Sequence, residues 1–219
     1  MKARFAIAPL TLALGFSAYV AFHPGRAFAE PRLPHLVAAS PFQESGKYTT
    51  DPAHTSVGFE IQHLGISKVQ GRFTKTEGHL DVNLKDLTKS SVEFKVLTDS
   101  VDTAVTPRDN HLRTPDFFDV AKYPEISFKS TSIRKSGKGY IADGTLTIKA
   151  VSKKVSIPFK QYGPITDPWG GTRIGVVADP ITINRQDYGI AYNDKLPDGT
   201  PAVANEVTIK LSLEATKDK

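Results

Sequence analysis

Residues 54–62 read HTSVGFEIQ. Val57, Phe59 and Ile61 alternate with Ser56, Gly58, Glu60 and Gln62. A strict apolar/polar alternation is the period of a strand with one buried face. The same period recurs downstream, in Val69/Gly71/Phe73, Leu80/Val82/Leu84 and Val92/Phe94/Val96. It continues in Ile126/Phe128, Leu146/Ile148, Val155/Ile157/Phe159 and Val207/Ile209/Leu211/Leu213. With residues 173–184 this gives eight or nine strands, separated by polar turn segments such as KTEGH, KSGKG, TDPWGG and LPDGTP. Each strand must bury one face and wet the other. No long amphipathic helix is available to cover the sheet, so it has to close on itself as a barrel or fold into a sandwich. An eight-stranded barrel has an interior just filled by side chains, or room for one small ligand.

The chain of 219 residues suits one domain of this kind with an N-terminal tail. Residues 1–29 read as a signal peptide: a basic MKAR start, the apolar run FAIAPLTLALGFSAYVAF, and AFA with small residues before Glu30. The competing reading is a retained anchor, because the apolar run approaches the roughly 18 residues at which a spanning helix becomes feasible. Export, with a mature protein that is periplasmic or secreted and not stably inserted in a membrane, is the expectation. Residues 30–46, with three prolines and no period, read as a linker, and residues 47–216 as the barrel domain.

The formal charge is +5, and the signal-like segment accounts for much of it. Without Lys2, Arg4 and Arg26 the balance is 25 basic against 23 acidic residues, with no basic stripe of the sort nucleic-acid binding requires. The absence of cysteine excludes disulfides and thiolate metal sites. The six histidines show no helical HxxxH pairing, so no metal and no cofactor is expected.

The stretch TPRDNHLRTPDFFDVAKYP (106–124) breaks the alternation. Thr106-Pro107 resembles an N-cap followed by a proline at the first helical position, with Asp109 as a helix-start acid. Thr114-Pro115-Asp116 repeats the signal, which predicts one or two short helices near the barrel mouth. On a helix Asp109 and His111 do not face each other, and Arg108 is the better neighbour of His111. Three roles are open to this polar group: catalysis, helix capping, or contact with a ligand head group. Of Phe117 and Phe118, one is expected to enter the mouth and the other to pack outside. In NRQDYGIAY (184–192), Arg185, Asp187 and Tyr188 read either as a turn with an aromatic cover or as groups where a ligand's polar end emerges. Trp169 reads as a turn aromatic covering an edge.

Five segments in this order resemble the YceI-like family of exported lipid- and polyisoprenoid-binding proteins. They are DPAHTSVGFEIQHLGISKVQGRF (51–73), TPRDNHLRTPDFFDVAKYPEISFKS (106–130), GTLTIKAVSKKVSIPF (144–159), NRQDYGIAY (184–192) and NEVTIKLSLEA (205–215). KAVSKKV departs from the family pattern, which has a glycine before Val151 and a proline near Lys154. The resemblance implies an all-β fold, an eight-stranded antiparallel lipocalin-like barrel with an elongated apolar cavity, in a family without established catalytic activity. Its expected partner is an isoprenoid, quinone or other amphiphilic lipid, and it leaves room for a homodimer. The residues expected to line the tube are Val57, Phe59, Phe73, Phe94, Val96, Phe117, Phe128, Leu146, Ile157, Phe159 and Tyr188. A polar mouth is expected from His54, Arg108, Asp109, His111 and Arg185. Two other readings compete: an enzyme whose site converges from Arg108, Asp109, His111 and His54, and a filled barrel serving as an interaction module.

Overall fold

A computed structural model describes residues 45–219; the signal-peptide reading and all but the end of the linker lie outside them. Twelve strands form one antiparallel sheet. They are β1 (Gly46–Thr50), β2 (Ser56–His63), β3 (Ser67–Phe73), β4 (Thr76–Val82), β5 (Ser91–Leu97) and β6 (Val101–Asp102). After α1 (Thr106–Leu112), the one α-helix among the described residues, come β7 (Glu125–Ser136), β8 (Gly139–Ile148), β9 (Val151–Thr166), β10 (Thr172–Ala178), β11 (Ile181–Asn184) and β12 (Val203–Lys217).

Four of the barrel staves are interrupted: β1/β2, β3/β4, β5/β6 and β10/β11 each act as one stave in two pieces. β12 pairs with β10 and β11 on one side and with β1 and β2 on the other, which closes the circle. The result is an up-and-down barrel of eight staves, and closure leaves a sheet edge only at β6. The first strand begins at Gly46, one residue inside the expected linker.

The alternation in the sequence places one apolar face inside. At one end of the barrel the interior is packed, with Tyr48, Leu80, Val82, Leu87, Ile174, Leu213 and Ala215 in a single buried cluster. The other end carries the β2–β3 and β8–β9 turns, the segment joining β6 to β7, and the loop joining β11 to β12. This is the mouth end.

The β6–β7 segment completes the wall. β6 is two residues long and pairs only with β3, and β7 reaches β5 no higher than Leu97↔Glu125. The gap above is filled by α1 and the turns after it. Phe118 meets Phe73 of β3 edge-on at 5.5 Å, and Phe117 packs with Leu146 and Ile148 of β8. Arg113 pins the segment through Nε to the Asp99 carbonyl and Nη2 to the Val101 carbonyl, both at 2.8 Å.

Local expectations for this segment need correction. The helix cap position is Val105 and not Thr106, and no side chain caps it. Asp109 turns back instead, its Oδ1 accepting from the Thr103 amide (2.9 Å) and the Thr103 hydroxyl. Among the described residues no second helix follows at Thr114–Asp116; the chain there is a run of turns. Because Phe117 and Phe118 sit in turns, the helical argument that separates neighbours does not apply, and both point at the cavity. Trp169 covers nothing, being 84% exposed.

Candidate functional site: an apolar cavity under a polar rim

The mouth-side half of the barrel encloses a cavity of about 480 Å³. That lies within the roughly 300–1,000 Å³ usual for small-molecule sites. Its wall is built from the alternating faces of the staves. Val57, Phe59 and Ile61 come from β2, Val69 and Phe73 from β3, and Phe94 and Val96 from β5. Opposite them stand Phe128 of β7, Leu146 of β8, Ile157 of β9, and Val207, Ile209 and Leu211 of β12. Phe117 and Phe118 enter from the β6–β7 segment. Nine of the eleven residues expected to line the tube therefore do so.

Two do not. Phe159 faces inward but borders a separate cavity of about 100 Å³ nearer the packed end, where it stacks on Tyr140 with ring centroids 5.7 Å apart. Tyr188 borders neither cavity. It lies in the 3₁₀ turn Arg185–Tyr188, is 2% exposed, and packs in the cluster containing Phe117, Leu146, Ile148 and Ile190. Burial, with the nearby Asp187 charge, pushes its phenol pKa up.

Polar residues on the cavity wall are few, and apart from Ser127 of β7 they gather on the mouth-end segments: Thr103, Arg108, His111, Arg185, Tyr192, Asp194 and His63. Arg108 donates from Nε to Thr103 Oγ1 (2.8 Å) and from Nη2 to the Thr103 carbonyl (2.9 Å). It does not pair with His111, whose Nε2 lies 2.8 Å from Asp116 Oδ2. His111, Phe117 and Tyr192 form a triangle of rings with all three centroid separations at 5.0 Å. The Tyr192 hydroxyl donates to Asp194 Oδ2, and that bond raises the phenol pKa.

Arg185 is 2% exposed. Its guanidinium donates to the carbonyls of Ala204 (2.9 Å), Ile190 (2.8 Å) and Val203 (3.3 Å), tying the β11–β12 loop to the start of β12. Burial lowers its pKa from the ordinary guanidinium value. Guanidinium nevertheless stays charged in proteins, so this end of the cavity carries a fixed cation. Among the described residues neither Arg185 nor Arg108 is in a salt bridge.

His54 and Asp109 do not belong to the rim. Asp109 is spent on Thr103 and is absent from the cavity wall. His54 precedes β2 at the end away from His63, and its Nδ1 lies 2.9 Å from Asp51 Oδ2. Asp51, His54 and Glu214 bring possible ligand atoms within 4.8 Å of one another. Arg173 already occupies that cluster, donating from Nη1 to Asp51 (2.8 Å) and Glu214 (2.7 Å) and from Nε to Asp167 (2.7 Å). Arg173 and His54 hold the Asp51 carboxyl down at a pKa of about 2. A metal ion there would have to displace a guanidinium. The four residues of the enzyme reading thus do not converge, since only Arg108 and His111 reach the cavity.

Sequence reasoning missed His63, Tyr192 and Asp194. His63 was within reach, because one more step of two from Ile61 lands on it. Tyr192 and Asp194 lie in a loop without periodicity and carry no such signal.

The profile of the YceI-like domain matches residues 48–215. Protein YceI of Escherichia coli O6:H1 is 38% identical over 173 residues, covering 79% of this chain and 87% of that protein. The crystal structure of the Campylobacter jejuni YceI protein superposes with a TM-score of 0.61 at 29% identity, covering 77% of this chain and 96% of that one. A polyisoprenoid binding domain from Saccharophagus degradans, implicated in plant cell wall breakdown, shares the fold at a TM-score of 0.58. It is 14% identical, over 80% of this chain and the whole of that one. The barrel, the cavity and the match along nearly all of the described residues agree, and the chain belongs to the YceI-like family.

Proposed function

We propose that the protein is a non-catalytic carrier or sink for an amphiphilic lipid, holding one long hydrophobic chain inside the barrel with its polar end at the rim of Arg108, His111 and Arg185. The observation that carries this reading is the cavity of about 480 Å³ walled by aliphatic and phenylalanine side chains. Apolar walls offer an ordered water too few polar partners, which favours uptake of an apolar chain there. A filled interaction module would have no such space.

Magnitudes favour the tail as the source of affinity. Burying a CH₂-sized group gains about 0.8 kcal/mol, so three isoprene units offer on the order of 10 kcal/mol before ordering costs. What remains is enough for about micromolar binding, near 8 kcal/mol, with the rim setting orientation. The polyisoprenoid-binding description of the Saccharophagus degradans domain supports a prenyl chain as the first ligand to try. Export to the periplasm or medium, read from residues 1–29, would place the carrier where lipids must cross water between membranes. N-terminal sequencing of the mature protein should then begin at Glu30.

Titration of the delipidated protein with a prenyl alcohol, read by displacement of an apolar fluorescent probe, tests the reading. Saturable binding of one chain per barrel is expected. A hydrolytic or transfer activity that disappears in His111→Ala at unchanged stability would replace the carrier by an enzyme.

A further inference from the structure

The barrel interior is divided. Phe94, Phe128, Ile157 and Leu211 each border both the large mouth-side cavity and the smaller cavity of about 100 Å³ beyond it. They come from β5, β7, β9 and β12, well spread around the wall, so together they form a collar, a septum narrowing the lumen where the two spaces meet. Ile157 and Leu211 are ordinary wall residues of their strands. The two phenylalanines are not, because of what lies beneath them.

Phe94 and Phe128 are direct cross-strand partners on β5 and β7. Their rings turn away from each other. Phe94 lies over Gly78 of β4, so close that a Cβ built on that glycine would come within 2.6 Å of the ring. Phe128 lies over Gly144 of β8, where a Cβ would likewise fall 2.6 Å from the ring. Each ring thus rests on a patch of bare backbone provided by the strand on the far side of the pair. With an alanine in either place, the ring could not stay against the wall and would have to move.

We infer that Phe94 and Phe128, seated on Gly78 and Gly144, set how deep a bound chain can reach, and therefore select ligands by tail length. The inference rests on the carrier reading above and sharpens it. A tail entering at the rim fills the mouth-side cavity and stops against the two rings. The space beyond is apolar and available only when a ring is removed or swings aside. Interiors are close-packed and respond to single methylene changes, so a stop of this kind is abrupt. Affinity rises with each isoprene unit up to the septum and levels off past it.

The test is a homologous series of linear prenyl alcohols, from geraniol upward by one isoprene unit at a time, titrated into the delipidated wild type and variants. Phe94→Ala and Phe128→Ala join the two cavities. Each should move the plateau at least one unit longer, with about tenfold tighter binding of the first chain beyond the wild-type stop, a change of about 1.4 kcal/mol. Gly78→Ala should move it shorter. It is the better glycine to change, since the crowding atoms there are side chains of Phe94 and Thr50, whereas Gly144 also abuts the Lys129 carbonyl. Phe94→Leu, with circular dichroism and a thermal melt as folding controls, keeps the test decisive if an alanine variant does not fold. A plateau that stays put in every folded variant overturns the septum while leaving the carrier intact. A wild type that binds no member of the series removes both.

Discussion

Along β12 the chain passes from a cavity wall into a core. Val207, Ile209 and Leu211 face the large cavity, whereas Leu213 and Ala215 are packed against Tyr48, Leu80 and Ile174. The strand is continuous and its period does not change. Nor are the residues of the hollow half smaller, since Phe59, Phe73, Phe94, Phe117, Phe118 and Phe128 all border the cavity. The difference lies in where the rings go. Phe59 lies over Gly71 so tightly that a Cβ there would come within 2.3 Å of its Cζ, and Phe94 and Phe128 lie over Gly78 and Gly144. Rings drawn back over glycine leave room in the lumen on the mouth side, whereas at the packed end the facing staves leave a space of only about 100 Å³. Three of these six phenylalanines, Phe59, Phe94 and Phe128, make room for the cavity by pairing with a glycine on the adjacent strand.

The comparison is most easily broken by truncation in each half. Ile174→Ala, at a site 2% exposed in the packed cluster and bordering only the smaller cavity, should cost about 2–5 kcal/mol in urea unfolding of delipidated protein. Phe59→Ala removes a larger side chain but from beside an existing void, and should cost less than about 2 kcal/mol, below the usual range for a buried phenylalanine. Equal losses would mean that both halves are cores.

Next in size is the anchor of the wall-filling segment. Asp109→Ala strips the Thr103 amide and hydroxyl of their acceptor in a site 7% exposed. Hydrogen bonds to a charged group are worth about 1.5–3 kcal/mol, so a loss of about 2–3 kcal/mol is expected in the same assay. This exceeds what a surface helix cap would give. A loss below about 0.5 kcal/mol would show that α1 is held by its apolar contacts alone.

A smaller effect, and a gain, is expected at the β8–β9 turn. Lys149 and Ala150 both have positive φ, 48° and 62°, in a two-residue hairpin between the paired Ile148 and Val151. Such turns favour glycine or asparagine, and Ala150 stands where the family pattern has glycine. Ala150→Gly should raise stability by about 0.5–1 kcal/mol, the left-handed strain of about 1–2 kcal/mol less the entropy glycine adds to the unfolded chain. A thermal melt that falls would show the turn relaxed as it is.

The smallest effect is on acid stability at the outer wall. Arg173, then His54, depress the Asp51 carboxyl from 3.8 to about 2, and Arg173 also lowers Asp167. A carboxyl harder to protonate in the folded state contributes stability that is full above about 3.8 and is lost as pH falls through about 2. Arg173→Gln should flatten the dependence of unfolding free energy on pH across that window. An unchanged slope would show that solvent screens the cluster.

Much of this molecule is legible in its alternation. The period of two told which side chains point inward, and Val57, Phe59, Phe73, Phe94, Val96, Phe128, Leu146 and Ile157 are where it put them. It told nothing about depth: Phe159 is two residues beyond Ile157 on the same face, yet falls on the far side of the septum. It also fails where the chain leaves the strand conformation. His54 is the last residue of the 3₁₀ turn Pro52–His54, so the frame of β2 does not extend to it, whereas it does extend to His63. Tyr188 and Arg185 share a 3₁₀ turn, and the reading of Tyr188 as a lining residue had no period behind it. The cavity itself needed the neighbouring strand, because a phenylalanine fills or vacates a lumen according to whether a glycine lies beside it across the ladder.

The central claim is that the mouth-side half is hollow in order to hold one lipid chain. Native mass spectrometry of protein purified from its own host, before and after organic extraction, tests it most directly. The expected result is a stoichiometric amphiphile on the folded protein that extraction removes and a prenyl alcohol restores. A bare protein mass that takes up no prenyl or other long-chain amphiphile would contradict it.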